Sequence, residues 1–447
     1  MTSEQIAQML AALATLLVAA HVFGHLLERL RQPRVIGEIL AGVLLGPTLL
    51  SRLLPDQLGW IFPASGPVAA FLLTVYQLGL LLLMYCSGTE IRSAFDRGER
   101  KTVMGITLGG ILVPFAAGIL LLSVIETRSL QGPNGAQGSF ALVFGIAIAI
   151  TSIPVISRIM FDLGIIGTSF SRVVLGAAVI EDVILYVLLA IALGLAAGTG
   201  SPAFALARPF GPDPASVWNV TYHVIAEVGF LAVAIFLGPP LLGRALASRH
   251  NILARSNAVA FQLAFMLGLS IVCVVLGIAP LFGAFVGGIV AGTSRDEEVI
   301  LAQASIKRFA FAFFIPAYFA LVGYQLDLIR DLDLAFFLGL LAFATIVKAT
   351  SVYVGARVAG EPHPAAVNLA AAMNARGGPG IVLAAVAFDA GIIDRSFFAS
   401  LVMLSVVTSL LAGAWLGRIV RKGLPLRGTA RSEDRAAREG TEVPSIS

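Results

Sequence analysis

A succession of long apolar segments with few internal charges constrains this chain more than any other feature. A helix needs roughly 20 apolar residues to cross the hydrocarbon core of a bilayer. Only 13% of the residues are charged, against about 25% in an ordinary soluble domain. We therefore predict an all-α polytopic membrane protein with about thirteen spans, near residues 6–28, 35–54, 66–88, 102–124, 139–161, 169–198, 219–243, 257–276, 279–293, 309–326, 333–356, 366–391 and 396–417.

The distribution of Lys and Arg predicts how these spans are oriented. Basic residues accumulate in cytoplasmic loops. With the N-terminus outside, the inner loops hold 16 of them and the outer loops hold 5. This imbalance predicts an outside N-terminus and a cytoplasmic C-terminus. Because the basic residues are scattered over many loops and do not form one face, nucleic acid is not a predicted partner.

Two pairs of matched sequences indicate an internal repeat. The second span contains GEILAGVLLGPT from Gly37 and the ninth contains GAFVGGIVAGTS from Gly283, while the fifth ends in FDLGII and the twelfth in FDAGII. The members of each pair are seven spans apart, so the two copies cross the membrane in opposite directions. Chance similarity between Gly-rich segments is the alternative. We predict inverted six-helix repeats at 1–198 and 251–420, a linker helix within 199–250, and a disordered cytoplasmic tail at 421–447.

The fifth and twelfth spans carry helix-breaking residues near their middle, in TSIPVIS around Pro154 and NARGGPGIV around Pro379. Proline removes a backbone hydrogen bond, and the freed groups must face protein or a wet cavity inside a membrane. We predict two discontinuous helices that cross near the membrane centre. The polar residues at the breaks, which can compensate the helix ends, are Thr151, Ser152, Asn374 and Arg376. The first two are candidate ion ligands, with backbone capping as the alternative, whereas a supporting role is favoured for Arg376.

Three ionisable residues lie deep inside apolar spans. Glu181 and Asp182 are adjacent in the sixth span, and Lys348 lies in the eleventh. Charge is costly there, so each carboxylate must be neutralised by a proton, a cation or Lys348. Our hypothesis is that Asp182 holds either a proton or a metal cation, and that Glu181 pairs with Lys348. The alternative for this pair is a purely structural role.

The remaining polar residues of the spans receive lesser roles. Glu38, at the start of the second span, is interpreted as an interface residue. Asp162 and Asp389 at span ends are interpreted as caps. The histidines, for which pH sensing is the alternative to a packed and hydrogen-bonded role, are His21, His25 and His223. Cys86 and Cys273 lie in apolar stretches and are interpreted as packing residues.

Four motifs resemble the monovalent cation:proton antiporter-2 family of bacterial membrane exchangers. They are QPRVIGEILAGVLLGPTLL (Gln32 to Leu50), AITSIPVISRIMFDLG (Ala149 to Gly164), VIEDV (Val179 to Val183) and MNARGGPGIVLA (Met373 to Ala384). The resemblance covers about residues 5–420 and implies a homodimer in the cell (inner) membrane, whose core domain moves against a dimerisation domain. It also implies that Asp182 is the cation and proton ligand and that Lys348 takes the place of a family lysine. The family has Asp or Asn where this chain has Glu181, which leaves the coupling ratio open.

The resemblance implies a secondary active transporter that exchanges Na⁺, the favoured ion, for protons by alternating access, with no enzymatic activity and no cofactor. A K⁺/H⁺ antiporter or K⁺ efflux transporter of the same fold is the first alternative. Gated K⁺ efflux members often carry a nucleotide-binding domain, whose fingerprint is not found in this sequence; an unregulated exchanger is therefore favoured. A non-transporting membrane sensor and an intramembrane enzyme are further alternatives. The enzyme is disfavoured because no Gly-x-Ser-x-Gly sequence is present.

Overall fold

The computed structural model describes residues 2–30, 32–90, 99–166, 168–197, 217–248 and 251–427. The first half contains α1 (Ser3–Arg29), α2 (Arg34–Leu45), α3 (Leu50–Leu53), α4 (Pro55–Ile61), α5 (Pro67–Glu90), α6 (Arg100–Leu121), α7 (Gln137–Ala149), α8 (Ile153–Asp162) and α9 (Ser169–Ala197). After the linker helix α10 (Val217–Ala247) come α11 (Ile252–Ser256), α12 (Ala258–Val275), α13 (Pro280–Gly292), α14 (Glu297–Phe309), α15 (Ile315–Tyr324), α16 (Leu334–Val358), α17 (His363–Ala372), α18 (Gly377–Asp389) and α19 (Arg395–Arg421). The predicted tail lies outside the described residues from position 428 onward.

Most predicted spans coincide with long apolar helices. Within the described residues, eleven helical stretches are long and apolar enough to cross a membrane. The other two predicted spans, the fifth and the ninth, contain shorter apolar helices, α7 and α13. The all-helical, multi-pass architecture is therefore confirmed, and the count of thirteen remains a prediction. The predicted tenth span, 309–326, begins too late in the chain. The apolar helical stretch begins with α14, which continues into α15 through a π-helical turn at Ala310–Phe314.

The two predicted helix breaks are present, but the prolines do not interrupt a helix. Residues 150–152 separate α7 from α8, and residues 373–376 separate α17 from α18. Pro154 is the second residue of α8 and Pro379 the third of α18. The first turn of a helix has no intrahelical acceptor for its N–H groups, so proline is tolerated there. Each proline therefore begins the second half of a discontinuous helix.

The helices form two bundles. The panel bundle consists of α1, α2, α5 and α12–α15, which pack mainly among themselves. The core bundle consists of α6–α9 and α16–α19. The linker helix α10 contacts α9 of the core bundle and α13 of the panel bundle, and α18 touches α2. The two broken helices both belong to the core bundle, so a movement of that bundle would carry them together.

Matched glycines lie where helices of the panel bundle cross. A Cβ atom on Gly42 of α2 would lie 1.9 Å from the carbonyl oxygen of Ala320 in α15, and one on Gly288 of α13 would lie 2.1 Å from that of Tyr85 in α5. Only a residue without a side chain permits such a close backbone approach. Since Gly42 and Gly288 occupy matching positions of the two glycine motifs, these crossings support the inverted repeat, which remains a prediction.

Candidate functional site

Glu181 and Lys348 form a fully buried ion pair between α9 and α16. The Nζ atom of Lys348 lies 2.8 Å from Oε2 of Glu181, and neither side chain is exposed. Pairing offsets part of the cost of burying the two charges, although Oε1 of Glu181 has no hydrogen-bond partner among the described residues. The structure thus brings together the acid and the lysine that the sequence singled out, although 167 positions separate them in the chain.

Two backbone carbonyls complete the surroundings of the lysine. Its Nζ atom donates to the carbonyl oxygen of Gly110 in α6 at 2.8 Å and to that of Ala149, the last residue of α7, at 2.5 Å. Glycine is needed at position 110, because a Cβ atom there would lie 2.5 Å from Oε1 of Glu181 and 3.3 Å from Nζ of Lys348. Helices α6, α7 and α9 therefore hold the ammonium group in one place.

Arg376 lies at the break of the second discontinuous helix and reaches the end of the first. It is 1% exposed. Its guanidinium donates to the carbonyl oxygens of Ala147 at 3.3 Å and Ile148 at 3.1 Å, and to Oδ1 of Asn374 at 2.6 Å. The last carbonyls of a helix carry partial negative charge. Lys348 donates to the next carbonyl oxygen, that of Ala149. Two cationic side chains thus compensate the negative end of the α7 dipole, which is consistent with a supporting role for Arg376.

The two breaks are hydrogen-bonded to each other. The backbone N–H of Ser152 donates to the carbonyl oxygen of Ala375 at 2.6 Å, and the hydroxyl of Thr151 donates to that of Met373 at 2.6 Å. The hydroxyl oxygen of Ser152 accepts from the backbone N–H of Val155 at 3.3 Å and so caps α8. Both hydroxyls thus act on the backbone in this conformation, which is the capping alternative that the sequence left open.

Asp182 differs from its neighbour because it has no partner. It is 1% exposed, and neither carboxylate oxygen has a hydrogen-bond partner among the described residues. Buried polar atoms nearly always find one, so an unpartnered carboxylate marks a place for a proton or a cation. The structure therefore separates the two adjacent acids, one closed into an ion pair and the other free to bind.

Two tyrosines were missed in the sequence analysis, one beside this acid and one near the first tyrosine. Tyr186 follows Asp182 by four positions, so the two side chains leave α9 on the same face. Tyr318 of α15 lies within electrostatic reach of Tyr186. Both rings are buried, and neither hydroxyl has a hydrogen-bond partner within the described part of the chain. The spacing of four was the available signal for Tyr186, whereas nothing local to the sequence indicates Tyr318.

A cavity of about 510 Å³ leads toward these residues between the two bundles. Glu38 of α2 lines its wall and is 8% exposed. The outer rim carries charges, from Arg34, Glu90, Arg158 and Lys307, and the inner end is lined by Tyr186, Phe319 and Pro379. The cavity thus ends one helical turn from Asp182. Its rim lies on the face that the basic loops predict to be cytoplasmic, where Glu90 forms an ion pair with Lys307.

A further buried acid, Glu227, lies on the linker helix and was also missed. Neither of its carboxylate oxygens has a hydrogen-bond partner among the residues that the structure covers, and Oε1 lies 4.0 Å from Nδ1 of His223. The His223 ring packs on Gly194 of α9, where a Cβ atom would lie 2.3 Å from Nδ1. His223 is buried, and its Nδ1 atom has no hydrogen-bond partner among the described residues.

The interpretation of Asp389 as a cap is wrong. It is the last residue of α18, and its Oδ2 atom accepts a hydrogen bond of 2.8 Å from the hydroxyl of Tyr76 in α5. An acid at a helix C-terminus is disfavoured by the helix dipole, so a partner from another helix is the better reason for its presence. The side chain of Asp162, its counterpart in α8, lies outside the described part of the structure.

Comparison with known proteins assigns the chain to a family. The family model for the transmembrane part of sodium/hydrogen exchangers matches residues 12–422. The chain belongs to the sodium/hydrogen exchanger family. The match spans both discontinuous helices of the chain and the ion pair beside them. The antiporter-family membership predicted from the four motifs is confirmed.

Several relatives of this chain are named as cation/proton antiporters. The chain is 28% identical over 405 residues to cation/H⁺ antiporter 18 of Arabidopsis thaliana, and the match covers 88% of this chain and 47% of that protein. It is 28% identical over 425 residues to the Na⁺/H⁺ antiporter NhaS4 of Synechocystis, and this match covers 94% of this chain and 98% of that protein. The chain spans about half the length of the plant and yeast relatives that it matches.

The fold also has a solved counterpart. The sodium proton antiporter MjNhaP1 from Methanocaldococcus jannaschii superposes with a TM-score of 0.62 over 94% of this chain and 99% of that chain. Because only 13% of the aligned residues are identical, this likeness bears on the fold alone. It adds independent support to the all-helical, polytopic architecture predicted from the apolar spans.

Proposed function

We propose that this chain is a secondary active transporter that exchanges a monovalent cation for protons across a membrane. The observation that carries the proposal is Asp182, a buried carboxylate with no hydrogen-bond partner among the described residues. It lies on a helix that packs against both discontinuous helices, one helical turn from the end of the cavity. A carboxylate in such a place must hold a proton or a cation. Because one carboxylate cannot hold both, each arrival displaces the other ion, and the two flows are coupled.

The access route supports alternating access as the mechanism. The cavity runs between the core and panel bundles, and its charged rim lies on one face of the described structure. Movement of the core bundle against the panel bundle would close this route and open one on the other side. Discontinuous helices that meet at a binding site are a recurring feature of secondary transporters. Pro154 and Pro379 begin their second halves and so fix where the breaks occur.

The ion pair and the hydroxyls at the breaks have supporting roles in this proposal. Glu181 and Lys348 keep a second buried carboxylate neutral, so that a single acid is left to bind. If Lys348 releases its proton when a cation arrives, more protons than cations move and exchange is electrogenic. The oxygen atoms of Thr151 and Ser152 each keep a lone pair and are the remaining candidate ligands for a cation on Asp182.

Na⁺ is the proposed cation, and K⁺ is the second candidate. The relatives include both a K⁺/H⁺ antiporter of Saccharomyces cerevisiae and the Na⁺/H⁺ antiporter NhaS4. We further propose that the protein is a homodimer in the cell (inner) membrane, with its N-terminus outside and its C-terminus in the cytoplasm. The proposed orientation places the cavity on the cytoplasmic side.

The deciding experiment uses purified protein in vesicles that carry an imposed pH gradient. Addition of Na⁺, Li⁺ or K⁺ should collapse the gradient, and the relative rates give the cation preference. Asp182→Asn should abolish the effect for every cation, because an amide cannot hold a proton or balance a metal charge. Glu227→Gln, which also neutralises a fully buried acid, is the matched control and should retain exchange.

Two results would contradict the proposal. A wild-type protein that leaves the gradient intact with all three cations would exclude exchange. Retained cation-dependent exchange in Asp182→Asn would remove Asp182 from the site while leaving the transporter assignment in place.

A further inference from the structure

The face opposite the cavity is closed by a hydrogen bond between the two bundles. The hydroxyl of Tyr76, in α5 of the panel bundle, donates to Oδ2 of Asp389, in α18 of the core bundle, at 2.8 Å. Tyr76 is 2% exposed, whereas Asp389 lies at an exposed end of its helix. The bond therefore ties a buried donor on one bundle to an acceptor at the edge of the other.

The position of this bond places it beyond the cavity. The cavity touches Leu83 of α5 and Val382 of α18. Tyr76 and Asp389 each lie seven positions further along the same helices, which is roughly 10 Å at the rise of an α-helix. The ring of Tyr318 packs between the two regions, with its centroid 4.9 Å from that of Tyr76. The contact thus belongs to the closed side of the transporter.

The two predicted repeats are not equivalent at this contact. The glycine crossings match the carbonyl of Tyr85 in α5 with that of Ala320 in α15. Tyr76 lies nine positions before Tyr85. Nine positions before Ala320, the chain is in the π-helical turn Ala310–Phe314, which has the sequence AFAFF and precedes α15. This stretch has no hydroxyl. If the cavity side closed, the turn that corresponds to Tyr76 could therefore not donate a hydroxyl hydrogen bond as Tyr76 does on the other side.

We propose that Tyr76 and Asp389 are positioning residues of the exchange cycle, whose hydrogen bond holds the far face closed and favours the arrangement in which the cavity is open. This inference rests on the proposed alternating access. The bond must break before the core bundle can open Asp182 to the far face, and the stretch that corresponds to Tyr76, Ala310–Phe314, has no hydroxyl to replace it when the cavity side closes. Its loss therefore raises the population of the opposite arrangement.

The test measures access from the far face by chemical labelling. Ala385, on α18, is 1% exposed and lies between Val382 of the cavity wall and Asp389, on the same face of the helix. In Ala385→Cys, a membrane-impermeant maleimide applied to intact cells reacts only when the far face opens. Tyr76→Phe should raise this labelling rate between about threefold and tenfold, the effect expected for one hydrogen bond.

The controls separate this role from a general loosening of the bundle. Tyr85→Phe removes a hydrogen bond of 2.5 Å to Gln262 that lies wholly within the panel bundle, so it should leave the labelling rate unchanged. Asp389→Ala should raise the rate as Tyr76→Phe does, and the two changes together should add nothing further. Each variant without Ala385→Cys gives the background from Cys86 and Cys273, which are both buried.

Three outcomes would overturn the inference: an unchanged rate in Tyr76→Phe, an equal rise in Tyr85→Phe, or additive effects of Tyr76→Phe and Asp389→Ala. Labelling requires no ion flux. A transporter assignment that fails in vesicles is therefore distinguishable from a hydrogen bond that does not control access.

Discussion

The ammonium group of Lys348 donates to acceptors from three helices. Removal of this charge should therefore lower the stability of the fold. Lys348→Met leaves Glu181 buried and uncompensated, and breaking such a pair costs about 3–5 kcal/mol of folding stability. We expect a clearly lower midpoint of thermal unfolding in detergent. The double variant Glu181→Gln with Lys348→Met removes both charges and should recover much of the loss. A double variant no more stable than Lys348→Met would show that the charge pairing is not what the lysine contributes.

Tyr186 provides a different kind of test, because its hydroxyl contributes no hydrogen bond to the described structure. Tyr186→Phe removes a buried polar atom that has no partner, so the stability of the protein should be maintained or slightly increased. If the hydroxyl helps to hold a cation on Asp182, the KM for that cation should rise several-fold in the vesicle assay. An unchanged KM together with unchanged stability would assign the ring to packing alone.

The sequence indicates some of these residues and not others, for a physical reason. Glu181, Asp182 and Lys348 stand out because a charge inside an apolar span is costly wherever the span lies in the fold. Tyr186 is indicated only by its spacing of four from Asp182. Tyr318 and Asp389 do not stand out, since a tyrosine suits an apolar helix and an acid suits a helix end. Their significance comes from neighbours on other helices, which a single sequence does not provide.

Helix crossings, like single side chains, can test the inverted repeat. Gly42→Ala and Gly288→Ala each introduce a methyl group within about 2 Å of a backbone oxygen, so the helices must separate. Overpacking of this kind costs about 1–3 kcal/mol, and repeat-related crossings should lose similar amounts of stability. Gly268→Ala in α12 meets no atom within 4 Å and should be neutral or slightly stabilising. Thermal unfolding would reveal whether the two losses match.

Helix positions follow from the apolar spans because the bilayer requires a fixed length of apolar chain. The ends of α5, α9 and α16 lie within a few residues of the predictions. The sequence pattern does not predict α14, which precedes the tenth span, because its two ends are polar. They carry Glu297, Glu298, Lys307 and Arg308. Proline in the sequence indicates that a helix breaks nearby. Whether the proline lies before or after the break depends on the helix geometry, which the sequence alone does not give.

The described C-terminal segment is fastened to the core bundle outside the membrane-spanning helices. Arg427 donates to Oε1 of Glu361 at 2.6 Å and lies 2.5 Å from Oε2 of Glu99. Burial raises the pKa of Glu361, but the hydrogen bonds from Arg427 and Thr102 outweigh burial, and the net pKa is lowered. This contact therefore joins the segment after α19 to the loops before α6 and α17.

The lowered pKa of Glu361 gives the contact a definite pH dependence. A carboxyl group with a lowered folded-state pKa stabilises the fold above its ordinary pKa of about 4.3, and this contribution is lost as the pH falls through the folded value. Arg427→Ala should lower the unfolding midpoint at pH 7, and its difference from wild type should shrink below about pH 4. Arg330→Ala, at a 79% exposed side chain, is the control and should change little. A pH-independent difference would contradict the role of Glu361.

The division into a core and a panel bundle could not be read from the spans themselves, because every span is apolar and suits either bundle. In the panel bundle, the helices are brought together by close backbone contacts at Gly42 and Gly288. In the core bundle, they meet at the polar crossing around Arg376. The resemblance implies a core and a dimerisation domain, which remain a prediction, whereas the two bundles are defined by the packing of the described helices. The face between them carries both the cavity and the hydrogen bond from Tyr76 to Asp389.

The cationic groups at the end of α7 also limit what an incoming metal ion can gain. The carbonyl oxygens of residues 147–149 are already engaged by Arg376 and Lys348, so they are poor substitutes for the water around an arriving ion. If Asp182 is the cation site, the ion would have to replace its lost water with oxygen atoms other than these three carbonyls. The way one helix end is neutralised would therefore exclude that end from the ligand shell.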